Sequence, residues 1–324
     1  MRRREFLGGL GAAIAIPHPA RAQRLPETPR RILLIANIRD EAQALMDVLL
    51  DESARHPDLG APTLLVPRDV RPKRDSDVVV KPRCVIGAPK QGPQAAAIEV
   101  WCLYDLMSEM VNGSNTDEKG LALRKIFSLG KPADAVIGFG TGAFPSRDTR
   151  NGCVAVGGTV FLHDAKGGGS IWSWPHQMEK LIPSKTPSSF YQALVNDRAV
   201  MDAIRARMQE APVNPARPPA VIVSPDAVAV SSVNIASTAD YALVDYTAVG
   251  FAQAAGVTEI TSVETTHAVI RRYCADAPFI FVTGIPNRIG QFDKEAQGNN
   301  QRASRNAGVV ASWILPTFLR AISA

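Results

Sequence analysis

Glu264 and Asn287 are the residues of this chain whose types and settings best suit chemistry. Glu264 lies in Ser262-Val263-Glu264-Thr265-Thr266-His267-Ala268, where an acidic residue opens an apolar, helix-like run. Asn287 closes Phe279-Ile280-Phe281-Val282-Thr283-Gly284-Ile285-Pro286-Asn287, a buried-strand pattern that ends on an amide. In an open α/β sheet, ligands bind beyond the carboxyl ends of the strands. The pair therefore sets a carboxylate and an amide at a pocket mouth, suited to gripping a sugar's hydroxyls and the edge of a base. A plain strand end followed by a helix carboxylate, favoured by the macrodipole, fits the same pattern. The turn Gly140-Thr141-Gly142-Ala143 follows another buried run, and its small residues let backbone N–H groups approach an anion or a sugar oxygen. No Gly-Lys-Ser/Thr follows it and the GxGxxG spacing is absent, so neither nucleotide-binding loop is indicated. A tight turn without a ligand fits equally well.

The elements that must position these residues alternate between two periods. Continuous apolar runs of strand length at 31–36, 135–140 and 279–284 predict buried parallel strands. Further strands are expected at 78–86, 154–156 and 159–162, and strand material within 221–233. Apolar residues at helical spacing predict helices over 40–50, 94–111, 121–127, 190–209, 243–255, 263–273 and 303–322. Strands alternating with helices call for a single three-layer α/β/α domain over residues 31–324, with a mostly parallel or mixed central sheet. Loop-rich insertions are expected at about 51–77 and 166–220.

The N-terminus predicts a destination. Arg2-Arg3-Arg4-Glu5-Phe6-Leu7 is a twin-arginine pattern, followed by a short apolar run and by Ala20-Arg21-Ala22, a small-x-small cleavage site. The run is too short for a stable membrane span. Residues 1–22 are thus expected to be a cleaved signal read by the twin-arginine export machinery, with 23–30 a linker and the mature protein periplasmic or secreted. The signal carries four arginines and one glutamate, so only +2 of the chain's net charge of +5 belongs to the rest. No basic run with interleaved aromatics occurs, which argues against nucleic acid as a partner. Cys84, Cys102, Cys153 and Cys274 lack metal-site spacing and are expected to be buried thiols.

Four blocks, taken in order, carry a family resemblance. They are Ile32-Leu33-Leu34-Ile35-Ala36-Asn37-Ile38-Arg39-Asp40-Glu41, residues 135–143, residues 154–162 closing on His163-Asp164-Ala165, and residues 262–287. Together they resemble the nucleoside phosphorylase and nucleosidase superfamily, in particular its methylthioadenosine/S-adenosylhomocysteine nucleosidase branch, over about half of the mature chain. The chain has Val263 where that family has Met, Asn287 where it has the acid that serves the purine, Pro286 for Ser, and Gly152-Cys153 for Gly-Asp.

The resemblance implies roles. Glu41 would activate water, Glu264 would hold the ribose hydroxyls and Asn287 the base. Gly140, Thr141, Gly142, Ala143 and Val263 would line the substrate site. Asn287 donates and accepts hydrogen bonds but transfers no proton. Asp293 is the nearest substitute acid. His163 and His267 read more readily as packing residues, and Cys153 as core. For phosphate, Arg39 is available, and the segment 85–90 offers only Lys90 as a second cation, so hydrolysis is favoured over phosphorolysis. The expectation is an exported purine nucleoside N-ribohydrolase, a homodimer that needs no metal or organic cofactor. The alternatives are a phosphate-dependent nucleoside phosphorylase and a non-catalytic periplasmic protein that binds nucleosides or bases.

Overall fold

The computed structural model describes residues 29–66, 81–88, 95–107, 116–165, 181–210, 218–233 and 241–324. The expected signal at 1–22, most of the linker, Lys90, and parts of both expected insertions lie outside these residues. Elements are numbered in chain order.

The apolar run at the start forms β1 (Arg30–Ala36), buried from its second residue onward. Burial on both faces is what a continuous apolar strand requires. β1 pairs in parallel with β4 (Ala96–Cys102) and β5 (Ala135–Thr141), and β5 pairs in parallel with β12 (Phe279–Gly284). On one flank, β3 (Cys84–Ala88) runs antiparallel to β4, and β2 (Thr63–Leu64) antiparallel to β3. On the other flank, β6 (Val154–Gly157) runs antiparallel to β12, with β9 (Val221–Val223) beside it. These eight strands form one sheet.

A second sheet of four strands has the order β11 (Ile260–Glu264), β10 (Val228–Val233), β7 (Thr159–Asp164), β8 (Leu181–Ile182). Only Gly158 separates β6 from β7, so one run of chain serves both sheets. The crossing needs glycine: a Cβ would lie 2.5 Å from the Phe281 ring at Gly157 and 2.4 Å from the Tyr191 hydroxyl at Gly158.

Helices cover both faces of the large sheet. α1 (Arg39–Leu50), α3 (Ser188–Asn196), α4 (Arg198–Arg205) and α7 (Asn300–Ala321) bury Leu45, Leu49, Phe190, Ile204, Ile314 and Phe318 on one side. On the other, α2 (Thr116–Ser128) and α6 (His267–Tyr273) pack Leu123, Ile126, Val269 and Ile270 over Leu33, Ile35, Phe279 and Phe281. α5 (Tyr241–Ala254) lies on the second sheet through Ala248, Val249 and Ala252. The three-layer α/β/α plan with a mixed sheet is as expected from the sequence, with its strands divided between two sheets.

Several local expectations are corrected. The stretch 94–111 is not a helix where it is described: it is β4 followed by a 3-10 turn at Leu103–Asp105. Its alanines and its helical spacing are overridden by pairing with β1 on one edge and β3 on the other. The one charge inside that strand, Glu99, is satisfied by a bidentate pair with Arg31 at 2.8 and 2.9 Å. Val263 and Glu264 belong to a strand rather than to a helix, which begins only at His267. The helix expected over 190–209 is two, broken at Asp197, whose carboxylate caps α4 at Val200 N, 3.1 Å. All four cysteines are buried thiols, and desolvation pushes those of Cys84 and Cys102 up to about 12. No helix of the described residues is long and apolar enough to cross a membrane.

Candidate active site

The carboxyl ends of β5, β11 and β12 meet, and backbone hydrogen bonds sew them together. Ala143 and Val263 exchange N–H···O bonds of 2.8 Å in both directions. Gly142 N donates to Gly284 O at 3.0 Å, and Phe144 N to Asn287 O at 2.8 Å. At Gly142 a Cβ would lie 2.9 Å from the Val263 carbonyl, so only glycine allows the approach. Thr141, Gly142, Ala143, Val263, Glu264 and Asn287, singled out from the sequence, thus converge at one place.

Glu41 enters from the first turn of α1 and is buried. Its Oε1 accepts from Thr141 N and Thr141 Oγ1, both at 2.8 Å, and its Oε2 from Ile38 N at 3.2 Å. Thr141 is therefore tied to Glu41 rather than presented to a ligand. Burial raises the Glu41 pKa above the usual glutamate range, the Thr141 and Ile38 hydrogen bonds oppose the rise, and the charge of Glu264 adds to it. The two carboxylates are close enough to sense each other.

Glu264 ends β11 and is also buried. Its Oε2 accepts from the backbone of Thr266, in a short contact, and of His267 at 2.9 Å; its Oε1 accepts a short bond from Ser231 Oγ. The Ser231 hydroxyl in turn accepts from Ala268 N at 2.8 Å. The start of α6 is therefore wrapped around one carboxylate, the arrangement in which a helix N-terminus stabilises an anion.

Behind this turn stands Lys119 of α2, fully buried. Its ammonium donates to Thr265 O at 2.7 Å, Thr265 Oγ1 at 3.0 Å and Thr266 Oγ1 at 2.8 Å. Burial lowers its pKa to about 7, with Glu264 and Glu41 acting the other way. Desolvation raises Asp245 of α5 to about 7, with Ser232 acting the other way and the Glu264 charge adding to the rise. Sequence reasoning singled out neither residue. Lys119 is 146 positions from Thr265, and it falls in the polar stretch ahead of the helix expected over 121–127, where a lysine reads as surface.

Asn287 is buried just past β12, and its Nδ2 donates to Arg288 O at 2.7 Å. One amide hydrogen and Oδ1 supply its remaining hydrogen-bonding capacity. The His267 ring stacks on Phe281 at 5.7 Å and shares a 2.8 Å hydrogen bond between Nε2 and Thr283 Oγ1. Burial lowers its pKa, so the ring is a neutral packing group. His163 stacks on Phe251 at 5.3 Å. Cys153 is core. Asp293 lies in a separate π-helical turn, Phe292–Ala296.

Arg39 and Arg83 converge on one carboxylate. Arg39 Nε donates to Asp105 Oδ1 at 3.0 Å, while Arg83 Nε and Nη2 reach Asp105 at 2.7 and 3.0 Å. The second arginine is Arg83, just upstream of the 85–90 segment in which the sequence offered only Lys90.

No protein-family model matches the chain, and no curated protein matches it by sequence. Solved structures do match by fold. The 5′-methylthioadenosine/S-adenosylhomocysteine nucleosidase of Colwellia psychrerythraea 34H, in complex with adenine, is 12% identical and superposes with a TM-score of 0.53 over 91% of this chain and 98% of that one. A putative nucleosidase of the same kind from Borrelia burgdorferi B31, bound to adenine, is 12% identical with a TM-score of 0.52 over 88% and 99%. The futalosine hydrolase of Helicobacter pylori strain 26695 is 9% identical with a TM-score of 0.50 over 88% and 97%. The chain thus shares the fold of these nucleosidase and hydrolase structures.

Proposed function

We propose that the protein is an exported purine nucleoside N-ribohydrolase. The observation that carries this reading is the meeting of two buried carboxylates, Glu41 and Glu264, at the joined ends of β5 and β11. Cleavage of an N-glycosidic bond develops positive charge on the ribose and negative charge on the leaving base. Glu264, anchored by two backbone N–H groups and a hydroxyl, would accept from the ribose hydroxyls and stabilise the cation. Glu41, with raised proton affinity, would take a proton from water as the oxygen adds to C1′. The C1′–N bond electrons leave with the base, which takes its proton from solvent water, since Asn287 has none to transfer. Asn287 would bind the base edge. Two structures of the same fold hold adenine, which supports a purine.

Hydrolysis is preferred to phosphorolysis because Asp105 already lies between Arg39 and Arg83, where an incoming anion would need both. The non-catalytic reading draws support from Asn287, which cannot act as an acid. One experiment separates these: incubate mature protein with purine and pyrimidine nucleosides, with and without phosphate, and follow free base by chromatography. Phosphate-independent release supports the hydrolase. Strict phosphate dependence selects the phosphorylase, and binding without release selects the binding protein.

Two effects on activity follow. Asn287→Asp supplies a proton donor to the leaving base and should raise kcat about 10²-fold; an unchanged kcat in the variant would show that the base does not reach this residue. Thr141→Val removes a hydroxyl that favours the charged form of Glu41. The acid limb of the kcat/KM–pH profile should therefore move to higher pH, and a limb that stays put would exclude Glu41 as its source.

Export and assembly belong to the same proposal. N-terminal sequencing of periplasmic protein should begin at Gln23. The exposed side of α5 carries Leu243, Tyr246 and Phe251, with Phe292 also exposed. This apolar surface suits a homodimer. Leu243→Asp should shift the mass measured by light scattering from dimer to monomer, and a wild-type monomer would end the dimer reading.

A further inference from the structure

Burying an ammonium is costly unless every proton finds an acceptor. Lys119 meets that condition in one place only: its three hydrogen bonds all land on the Thr265–Thr266 turn, on one carbonyl and two hydroxyls. Three acceptors match the three hydrogens of the ammonium form. The opposite side of this short turn supplies Thr266 N and His267 N to Glu264. The turn thus has a lysine fastened to its back and the carboxylate held at its front. α2 and α6 pack together through Leu123, Ile126 and Val269, which sets where the ammonium can stand.

We infer that Lys119 is a positioning residue for Glu264, fixing through its ammonium the Thr265–Thr266 turn that aims the carboxylate at the ribose. The inference rests on the nucleosidase reading and adds to it a residue that touches no substrate. It acts by geometry and charge: without three donors behind the turn, the two hydroxyls and the carbonyl lose their bonds to the ammonium, and the N–H groups in front of them rotate away from Glu264. A cavity of the same shape filled by a neutral group should not restore the aim.

The test is chemical rescue. Lys119→Ala removes the equivalent of n-propylammonium. Its kcat for base release should fall about 10²-fold, the cost of misplacing a positioning group by an ångström, and KM should rise with it because Glu264 holds the ribose in the ground state too. Added n-propylammonium should restore most of that loss and n-propanol should not. Equal rescue by both, or a wild-type kcat in Lys119→Met, overturns the inference, since either shows that only volume matters. If neither lysine variant folds by circular dichroism, Thr265→Val decides: losing one of three acceptors should lower kcat about tenfold, and an unchanged kcat overturns the proposal. Wild-type protein that binds adenosine without turnover would end the nucleosidase reading alone. The adenosine Kd would then replace kcat in every comparison, and a Kd unmoved in Lys119→Ala would count against Lys119. Wild-type protein that neither cleaves nor binds overturns both.

Discussion

Glu264→Gln should lower kcat/KM for base release about 10³-fold, the scale seen when one preorganised electrostatic partner of a transition state is removed. The substitution keeps size and shape, so the fold should survive. The amide oxygen can still accept from Thr266 N and His267 N, and the amide nitrogen can face Ser231 Oγ. What disappears is the negative charge beside the cationic ribose and the second acceptor for its hydroxyls. Because the ribose is held in the ground state too, KM should rise while kcat falls. Steady-state kinetics on the best nucleoside, with circular dichroism as the fold control, checks this. A loss of only a few-fold would remove Glu264 from the site.

Glu41→Gln should reduce kcat about 10³-fold through loss of the base that activates water. Its signature differs from that of Glu264: a residue that touches water rather than ribose leaves KM nearly unchanged. The same carboxylate has a second readout. Its folded pKa is raised, chiefly by burial, so folding takes up a proton between the ordinary glutamate value and the raised one. The folded state then binds more protons than the unfolded, and stability falls as pH climbs through that window. Urea midpoints followed across pH should show this decline in the wild type and a shallower one in Glu41→Gln, where the raised Asp245 still contributes. A variant that keeps both the kcat and the full decline would show that Glu41 is neither the base nor a titrating group.

The parts of the fold that were legible in the sequence are those where burial alone fixes the structure. Phe279–Val282 and Ile32–Ala36 are apolar without interruption, and a strand covered by helices on both faces has no other pattern. Ala96–Cys102 misleads because Ala, Ile and Val at those spacings serve either element, and only the partners β1 and β3 decide. Ile260–Glu264 was hidden by Thr261 and Ser262, polar side chains that are buried here and break an apolar run. Thr141, Glu264 and Asn287 were found because strand-end position carries meaning in an α/β sheet, and Glu41 through the family resemblance of its block. Lys119, Arg83 and Asp105 were not, because each acts on a residue distant in sequence, and no spacing rule links them.

The glycine pair between β6 and β7 has a consequence for the chemistry. Glu41 is fastened to the eight-stranded sheet through Thr141, and Glu264 to the four-stranded sheet through Ser231. The two carboxylates are thus the tips of a caliper whose arms are separate sheets. Its pivot is Gly157–Gly158, pressed against Phe281 and Tyr191, and its clasp is the reciprocal backbone pair of Ala143 and Val263. A single methyl group at the pivot would press on Phe281 or Tyr191, and is expected to alter the gap between the carboxylates without touching either of them.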